Sequence, residues 1–248
     1  MISAIALRDA RRALRTSLAE AAEKLRLPLS EQQSTQLLDF VELLVHWNRT
    51  YNLTAVRDPA SMLTRHVVDC LAVVPALRRE NCRGRVLDVG SGGGLPGVVW
   101  AVMEPDMDVT CVDSVGKKTA FLQQAVGSLG LGNLRGEHAR AERLAAGRFD
   151  LIASRAFASL PDFAALTAHL ISEGGTWLAM KGKVPTGEIG ELASGVEVFH
   201  VEQVLVPGLA ADRCLIWMRP TSSSTRSEGE ANKKSVHSQS RTFKKADE

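Results

Sequence analysis

Hydrophobic and polar positions follow two different periods from residue 85 onward. Short apolar runs, which are typical of buried strands, are separated by longer stretches with helical spacing. This pattern predicts strands at 85–89, 109–112, 133–137, 149–153 and 176–180, and helices at 96–103, 116–129, 141–145 and 161–171. Strands that alternate with helices form parallel, doubly wound sheets, so we expect an α/β domain over residues 81–220.

The end of this region has a different pattern. Two strand-like runs, Val196 to Val206 and Cys214 to Met218, are joined by Pro207-Gly208 and a polar stretch. Because no crossover helix fits between them, we expect an antiparallel hairpin that completes the sheet. Beyond Pro220 there are too few apolar side chains to offset chain entropy, and we expect a disordered charged tail over 221–248.

Residues 1–80 show helical spacing and predict a helical cap on the sheet. Ser30 and Gln33 have the spacing of a capping box, which predicts that a helix begins there. A further helix is expected from Ala60 to Leu77. Between the two, residues 46–54 fit neither period, so we interpret this segment as a functional loop or a helix end.

Four arginines form a stripe near the amino terminus. They lie at i, i+3, i+4 and i+7 and therefore share one helix face: Arg8, Arg11, Arg12 and Arg15. Two interpretations are open, a surface that binds phosphates and a solvated face of a surface helix.

Composition narrows the class of protein. The chain has 248 residues, 45% of them hydrophobic and 23% charged, which is typical of a globular protein with one main domain. Its net charge of +2 belongs to the tail, since residues 221–248 hold six Lys or Arg and four Asp or Glu, which leaves 24 of each sign through residue 220. A neutral body has no global field for nucleic acid, so any RNA contact requires a local patch.

The sequence also argues against several sites and locations. It has neither a run of 18 apolar residues nor a basic leader with a long apolar core, so we expect no membrane span, no secretory signal and a cytoplasmic protein. The cysteines lack metal-site spacing, and we expect them to be reduced, with no bound metal: Cys70, Cys82, Cys111 and Cys214.

A glycine loop follows the first predicted strand and is the strongest sign of a ligand site. Gly92, Gly94 and Gly97 match the G-x-G-x-x-G spacing of dinucleotide-binding folds. Gly90 and Asp88 extend the match to D-x-G-x-G-x-G. We expect the Asp88 carboxylate to lie beside the crevice, where it would repel a pyrophosphate and suit a cationic cofactor such as S-adenosylmethionine.

A second carboxylate supports the same cofactor. Asp113 ends the second predicted strand, 21 residues after Gly92, which is the offset that βαβ geometry requires for a residue that accepts the ribose hydroxyls.

Several motifs together closely resemble the bacterial RsmG (GidB) family over residues 28–219. They are His46-Trp47-Asn48, Tyr51-Asn52-Leu53-Thr54, Arg57-Asp58-Pro59, Arg65-His66, Asp69, Asp88 to Gly92, Gly94 to Gly97, Ser154 to Leu160 and Lys181-Gly182. The resemblance implies a Rossmann-like, class I S-adenosylmethionine-dependent methyltransferase that acts on 16S rRNA. It also implies cofactor contacts at Gly90, Leu95, Ala141, Glu142 and Arg155.

The family reaction is methyl transfer to ring nitrogen 7 of a guanosine in the 530 loop, position 527 in conventional rRNA numbering. That nitrogen carries a free lone pair, so we expect no general base and a rate that depends on alignment and desolvation. We expect Arg155 and Lys181, with Arg65, His66 and Asn48 near the mouth, to hold the RNA and the target base. The partner is then 16S rRNA or the small ribosomal subunit.

Other functions remain open on the sequence alone. A dehydrogenase of the short-chain type needs Tyr-x-x-x-Lys, whereas Tyr51 is the only tyrosine and Ala55 follows four residues later. A non-catalytic sensor that binds S-adenosylmethionine and RNA would keep the same pocket. A small-molecule methyltransferase is disfavoured only by the family resemblance.

Overall fold

The structure is a computed structural model that describes residues 4–221. Residues 1–3 and 222–248, which include nearly all of the predicted disordered tail, lie outside the described residues.

A seven-stranded mixed sheet forms the centre of the molecule. Its strands are β1 (Gly84–Val89), β2 (Met107–Asp113), β3 (Leu134–His138), β4 (Phe149–Arg155), β5 (Ile171–Lys181), β6 (Val196–Gln203) and β7 (Cys214–Pro220). They are arranged in the order β3-β2-β1-β4-β5-β7-β6. The first five are parallel, and β7 pairs antiparallel with both β5 and β6. The predicted parallel sheet and its terminal antiparallel hairpin are therefore confirmed.

Seven helices surround the sheet in the described part of the chain. They are α1 (Ala4–Lys24), α2 (Glu31–Tyr51), α3 (Pro59–Arg79), α4 (Gly97–Met103), α5 (Gly116–Leu129), α6 (Leu160–Thr167) and α7 (Thr186–Gly190). Helix α2 begins with the predicted capping box, since the Gln33 amide donates to Ser30 Oγ and the Ser30 amide donates to Gln33 Oε1. It ends at Asn52, which is left-handed with φ 49°. Residues 46–51 are thus a helix end, and a loop follows.

Helix α3 contains a π-helical stretch, Leu63–Val68, which carries Arg65 and His66. Such wide turns inside α-helices often occur at functional sites. By its length and a mean hydropathy of 1.3, α3 is apolar enough to cross a membrane. However, 67% of its most apolar 18-residue stretch is buried inside the fold. It is therefore the core helix of the cap.

Two apolar cores cover the two faces of the sheet. The larger one joins the cap helices α1–α3 with α4, α5 and one face of the central strands, and the smaller one lies under α6. Because the cap and the sheet share the larger core, the cap holds a fixed position over the carboxyl ends of β1 and β4. The exact domain boundaries at residues 80 and 220 remain a prediction.

Some predicted bounds were wrong. The expected helix at 141–145 is a single 3-10 turn, Ala141–Arg143, because only Ala141 and Leu144 of this segment are buried and one turn suffices to bury them. The expected helix at 161–171 ends at Thr167, and a 3-10 turn follows. Strand β5 begins five residues before the predicted start, because Ile171 already pairs with Phe149 of β4.

The arginine stripe on α1 forms ion pairs with neighbouring carboxylates. Arg11 pairs with Asp39 and Glu42 of α2, and Arg15 pairs with Glu31 at 2.6 Å. Arg12 pairs with Asp9 on its own helix. Arg11 and Arg15 thus help to dock α1 on α2, and three of the four arginines already have a carboxylate partner. This favours the interpretation of the stripe as a surface helix face over a phosphate-binding one.

Candidate functional site

Two adjoining cavities lie at the carboxyl ends of β1, β2 and β4, where ligands bind in open α/β sheets. The larger has a volume of about 430 Å³ and the smaller about 140 Å³. Gly90 lines both. The site is therefore one crevice with two compartments that meet at the glycine loop.

The glycine loop needs its glycines for two physical reasons. Gly90 has φ +66°, and a Cβ there would lie 2.5 Å from Cδ2 of Phe157. Gly97 begins α4 against the sheet, and a Cβ would lie 2.3 Å from Sγ of Cys111. The first glycine thus permits a sharp turn beside the crevice, and the last permits close packing of helix on strand.

Asp113 lies at the end of β2 in the larger cavity. Its Oδ2 accepts a hydrogen bond from the Gly92 amide at 3.0 Å, and its Oδ1 accepts from the Val115 amide at 2.9 Å. Lys118 Nζ lies 3.3 Å from Oδ2. These contacts fix an anionic acceptor in the position that the sequence assigns to ribose recognition.

The charges of the larger cavity do not suit a diphosphate. Its two cations are each paired with one of its two carboxylates, Lys118 with Asp113 and Arg140 with Glu142 at 3.8 Å. Ala141 lies beside Glu142 and is 6% exposed. The compartment thus offers carboxylate oxygens and apolar walls, and neither cation is free of a carboxylate partner.

Asp88 does not face the crevice as the sequence argument expected. Its side chain is fully buried behind the loop, where Oδ2 accepts from the Gly97 amide at 2.9 Å at the start of α4. Burial raises the pKa of Asp88 to about 7, and the Gly97 hydrogen bond and the charge of Arg155 only partly offset that effect. The repulsion of pyrophosphate therefore has to come from Asp113 and Glu142, while Asp88 supports the loop.

We expect Asp88→Asn to remove a pH-dependent destabilisation. The carboxyl ionises near pH 4 when unfolded but at about pH 7 when folded, so the folded state holds one more proton between these values. The free energy of unfolding of the wild type therefore loses about 1.4 kcal/mol per pH unit in that window relative to the variant. Urea unfolding from pH 4 to 8 measures the difference, which should grow up to pH 7 and then stay level. A constant difference over the whole range would contradict this assignment.

A buried carboxylate organises the smaller cavity. Asp69 of α3 is 1% exposed and binds two arginines, Arg155 Nη1 at 3.2 Å and Arg213 Nε at 2.6 Å. Arg155 is the last residue of β4, lines the cavity and also donates through Nη1 to the Arg65 carbonyl at 3.2 Å. Its Nε and Nη2 atoms have no hydrogen-bond partner within residues 4–221. One nitrogen thus anchors the guanidinium, and the others remain available to a ligand.

His66 lines the smaller cavity as a neutral imidazole. Its Nδ1 lies 3.0 Å from the Arg65 carbonyl, which can only accept, so Nδ1 carries the proton. Its Nε2 lies 2.8 Å from Oγ1 of Thr54 and accepts the hydroxyl proton. Burial lowers the pKa of His66 to about 4, and the nearby positive charge of Arg155 adds to the effect. The ring is therefore uncharged at neutral pH.

Three other predicted substrate-positioning residues do not line either cavity. Asn48 is 2% exposed, and both polar atoms of its side chain have partners. Oδ1 accepts from the Thr54 backbone amide, and Nδ2 donates to the Val56 carbonyl. Lys181 Nζ binds Glu188 of α7 at 2.9 Å and the Ala158 carbonyl. Arg65 has an exposed side chain and contributes its carbonyl to the site. Asn48 therefore supports Thr54, which lines the smaller cavity, and Lys181 lies outside both cavities.

The structure adds residues that the predicted site did not contain. Asp69 was noted only as part of a motif, and Arg213, which shares it with Arg155, is 144 residues away along the chain. Ser91 lines the smaller cavity, and its buried Oγ has no hydrogen-bond partner in the part of the chain that the structure describes. The apolar Leu95, which was predicted, lines the same compartment.

These features fit S-adenosylmethionine. The larger compartment has a fixed carboxylate for the ribose hydroxyls and the partly buried Ala141-Glu142 pair beside it. The smaller compartment has an unpartnered buried hydroxyl at Ser91, suited to the polar groups of an amino acid. Within residues 4–221, no three His, Cys, Asp or Glu side chains are grouped in a way that would hold a metal ion.

Comparison with known proteins agrees with the geometry. A family model for rRNA small subunit methyltransferase G matches residues 33–216. The Ribosomal RNA small subunit methyltransferase G of Acidovorax ebreus is 57% identical over 217 residues, which is 84% of this chain and 96% of the relative. The protein of the same name from Bordetella pertussis is 52% identical over 210 residues, 82% of this chain and 91% of the relative.

Solved structures show the same fold at low identity. The 1,6-didemethyltoxoflavin-N1-methyltransferase of Burkholderia thailandensis, solved with S-adenosylhomocysteine, has a TM-score of 0.52 at 16% identity and covers 79% of this chain and 92% of its own. The glycopeptide N-methyltransferase MtfA, complexed with S-adenosylmethionine, has a TM-score of 0.52 at 13% identity and covers 62% and 94%.

The sheet order and the glycine loop thus define a Rossmann-like, class I methyltransferase whose cofactor is S-adenosylmethionine. The chain belongs to the rRNA small subunit methyltransferase G family, and it is an S-adenosylmethionine-dependent rRNA methyltransferase.

Proposed function

We propose that the protein methylates ring nitrogen 7 of a guanosine in the 530 loop of 16S rRNA, position 527 in conventional numbering. The observation that carries this proposal is the smaller cavity, where a fixed cation, Arg155, lies near a neutral histidine whose acceptor nitrogen is already occupied. A ring nitrogen with a free lone pair needs no base, whereas an exocyclic amine must lose a proton. The cavity suits the first kind of acceptor.

The cofactor contacts follow from the two compartments. We assign the adenosine part to the larger one, with Asp113 accepting the ribose hydroxyls and Ala141 and Glu142 beside the adenine. The amino acid part then lies along the loop at Gly90, Gly92 and Leu95, close to Arg155. Asp88 supports this loop through the Gly97 amide and makes no direct contact. When bound, S-adenosylmethionine supplies a methyl group on a positively charged sulfur.

The acceptor base is oriented by donors. A guanine presents O6 next to nitrogen 7, and arginine is the residue that most often pairs with this edge. We infer that the free Nε or Nη2 of Arg155 donates to O6, which leaves nitrogen 7 unprotonated and aligned with the methyl donor. Asp69 holds the guanidinium in place, so the alignment is set before the base arrives.

The rate acceleration then comes from the alignment of the acceptor nitrogen with the methyl donor and from the exclusion of water from the cavity. Leu44, Leu53 and Leu95 line the smaller cavity and exclude water around the acceptor nitrogen. His66 adds a neutral wall, and its Nε2 is occupied by Thr54, so it does not compete for a proton. Lys181 and the exposed Arg65 side chain contribute to holding the RNA only from outside the cavity.

The substrate is 16S rRNA, either free or within the small ribosomal subunit, and the enzyme then works in the cytoplasm. Mass mapping of 16S rRNA from cells with and without the gene tests the proposal. We expect one methyl on a guanosine of the 530 loop to disappear and to return when purified enzyme and S-adenosylmethionine are added. Loss of a methyl at another nucleotide would redirect the substrate assignment. Binding of the cofactor without any transfer to RNA would favour the sensor.

A further inference from the structure

Tyr51, at the last turn of α2, presents an aromatic ring at the surface. It is the only tyrosine of the chain and is 41% exposed. Its ring centroid lies 4.9 Å from that of Trp47, with an angle of 34° between the planes. One face of the tyrosine ring is thus supported by an indole.

The supporting indole is itself held in place. Trp47 contacts the Phe121 ring of α5 edge-on, with centroids 5.6 Å apart. Its Nε1 donates to Oε1 of Gln124 at 3.1 Å. Stacking on a fixed ring lowers the entropy that Tyr51 would lose on binding, because the ring is already oriented.

This aromatic pair borders the catalytic crevice. Leu44, Trp47 and Tyr51 are spaced at i, i+3 and i+7, so they share one face of α2. Leu44 lines the smaller cavity at one end of this row, and Leu53 and Thr54, which follow Tyr51 in the chain, line it as well. Tyr51 therefore lies at the rim.

Exposed cations lie close in the chain to residues that line the two cavities. Arg57, Arg65 and Lys117 are exposed, and none of them forms an ion pair within residues 4–221. Arg57 Nη2 donates to Oδ1 of Asn52 at 2.7 Å, which holds this guanidinium beside the end of α2. The arginines of α1 differ, since three of the four are neutralised by carboxylates.

We propose that Tyr51, supported by Trp47, stacks on an unpaired rRNA base that flanks the target guanosine, while Arg57 contacts the adjacent phosphate. Proteins recognise single-stranded RNA by stacking bases on aromatic rings within a positively charged track, and the rim combines both. This inference rests on the proposed function for the nature of the RNA, and it names the part of the substrate that lies outside the methyl-transfer cavity.

Three variants test the stacking platform, which is Tyr51 supported by Trp47, in methyl-transfer assays with 16S rRNA. We expect Tyr51→Ala to raise the KM for RNA about tenfold, which is the loss expected for one stacked base. Because Tyr51 lies outside both cavities, kcat and the Kd for S-adenosylmethionine should stay at wild-type values. Tyr51→Phe keeps the ring and should bind RNA normally. Val201→Ala shortens an equally exposed apolar side chain on the edge strand β6 and is the matched control.

Ultraviolet cross-linking supplies a direct readout. Irradiation of the wild-type complex with 16S rRNA should attach RNA to the peptide that contains Tyr51, and Arg57→Ala should weaken RNA binding without changing the cofactor Kd. A normal KM for Tyr51→Ala overturns the proposal, and so does a Tyr51→Phe variant as weak as Tyr51→Ala, because the hydroxyl would then carry the contact. If the wild type methylates another nucleotide, the proposed function fails. The KM values of the Tyr51 variants for RNA still show whether Tyr51 stacks on a base.

Discussion

Replacing Arg155 by alanine should lower the rate of methyl transfer to 16S rRNA by about 100-fold or more, the effect of removing one preorganised donor from a reacting site. The variant loses the guanidinium that lines the smaller cavity and that Asp69 fixes at 3.2 Å. Single-turnover assays with saturating S-adenosylmethionine measure the loss. Arg155→Lys should recover little, because an ammonium keeps the charge but not the planar set of donors.

The matched control is Arg213→Ala. Each of the two alanine variants leaves the buried Asp69 with one arginine, so their costs in stability should be similar. Only the Arg155 variant removes a group from the cavity, and Arg213→Ala should keep a transfer rate within about tenfold of the wild type. Normal methylation and normal cofactor affinity in Arg155→Ala would show that the assignment is wrong.

Asp113→Ala should weaken S-adenosylmethionine binding by about 10- to 100-fold, the effect of losing charge-assisted hydrogen bonds to the ribose. The substitution also releases the Gly92 amide, which the carboxylate holds at 3.0 Å, so the loop loses an anchor. Asp113→Asn keeps an oxygen for that amide and should bind more tightly than Asp113→Ala. Calorimetry with S-adenosylmethionine in the absence of RNA measures both.

Asp108 provides the control on the same strand. It lies near the opposite end of β2 and pairs with Arg135 at 2.8 Å, remote from both cavities. Asp108→Ala should therefore leave the cofactor Kd unchanged. Equal losses in Asp108→Ala and Asp113→Ala would mean that the effect comes from the strand and not from the ribose contact.

The sheet and the position of the crevice follow from sequence because they depend on local patterns. Apolar strand residues such as Val86, Leu87 and Val89 favour burial, and the glycines that follow them permit a sharp turn at the end of the strand. The order of these segments then restricts the topology to few choices. The resemblance to a family added the prediction that Ala141 and Glu142 contact the cofactor, since these two residues have little pattern of their own.

The orientation of Asp88 was wrong although the sequence contained a signal for it. Side chains alternate along a strand, so Asp88 shares a face with Val86, which belongs to the core beneath the cap and α4. Leu87 and Val89 belong to the opposite core, and Val89 lines the larger cavity. Counting alternate residues back from the glycine loop would have placed the carboxyl behind it.

The pairing of Asp69 with two arginines had no local signal. Arg155 and Arg213 come from different strand ends, and nothing in the spacing of charged residues connects them with a carboxylate in a cap helix. Such contacts depend on how three elements pack, which is decided by side-chain shape over the whole core. The roles of Asn48 and Lys181 were also invisible for this reason, because their partners were set by neighbouring loops.

The double ion pair of Asp69 limits how the enzyme can be shortened or given a different cap. Its carboxylate connects three parts of the fold, because Asp69 lies in a cap helix, Arg155 ends the central strand β4 and Arg213 directly precedes β7. An enzyme shortened ahead of Arg213 would lose one of the two arginine partners of Asp69 along with its final strand. Grafting a different cap onto this sheet would therefore require an acid at the same point, or activity would be lost while the cofactor still bound.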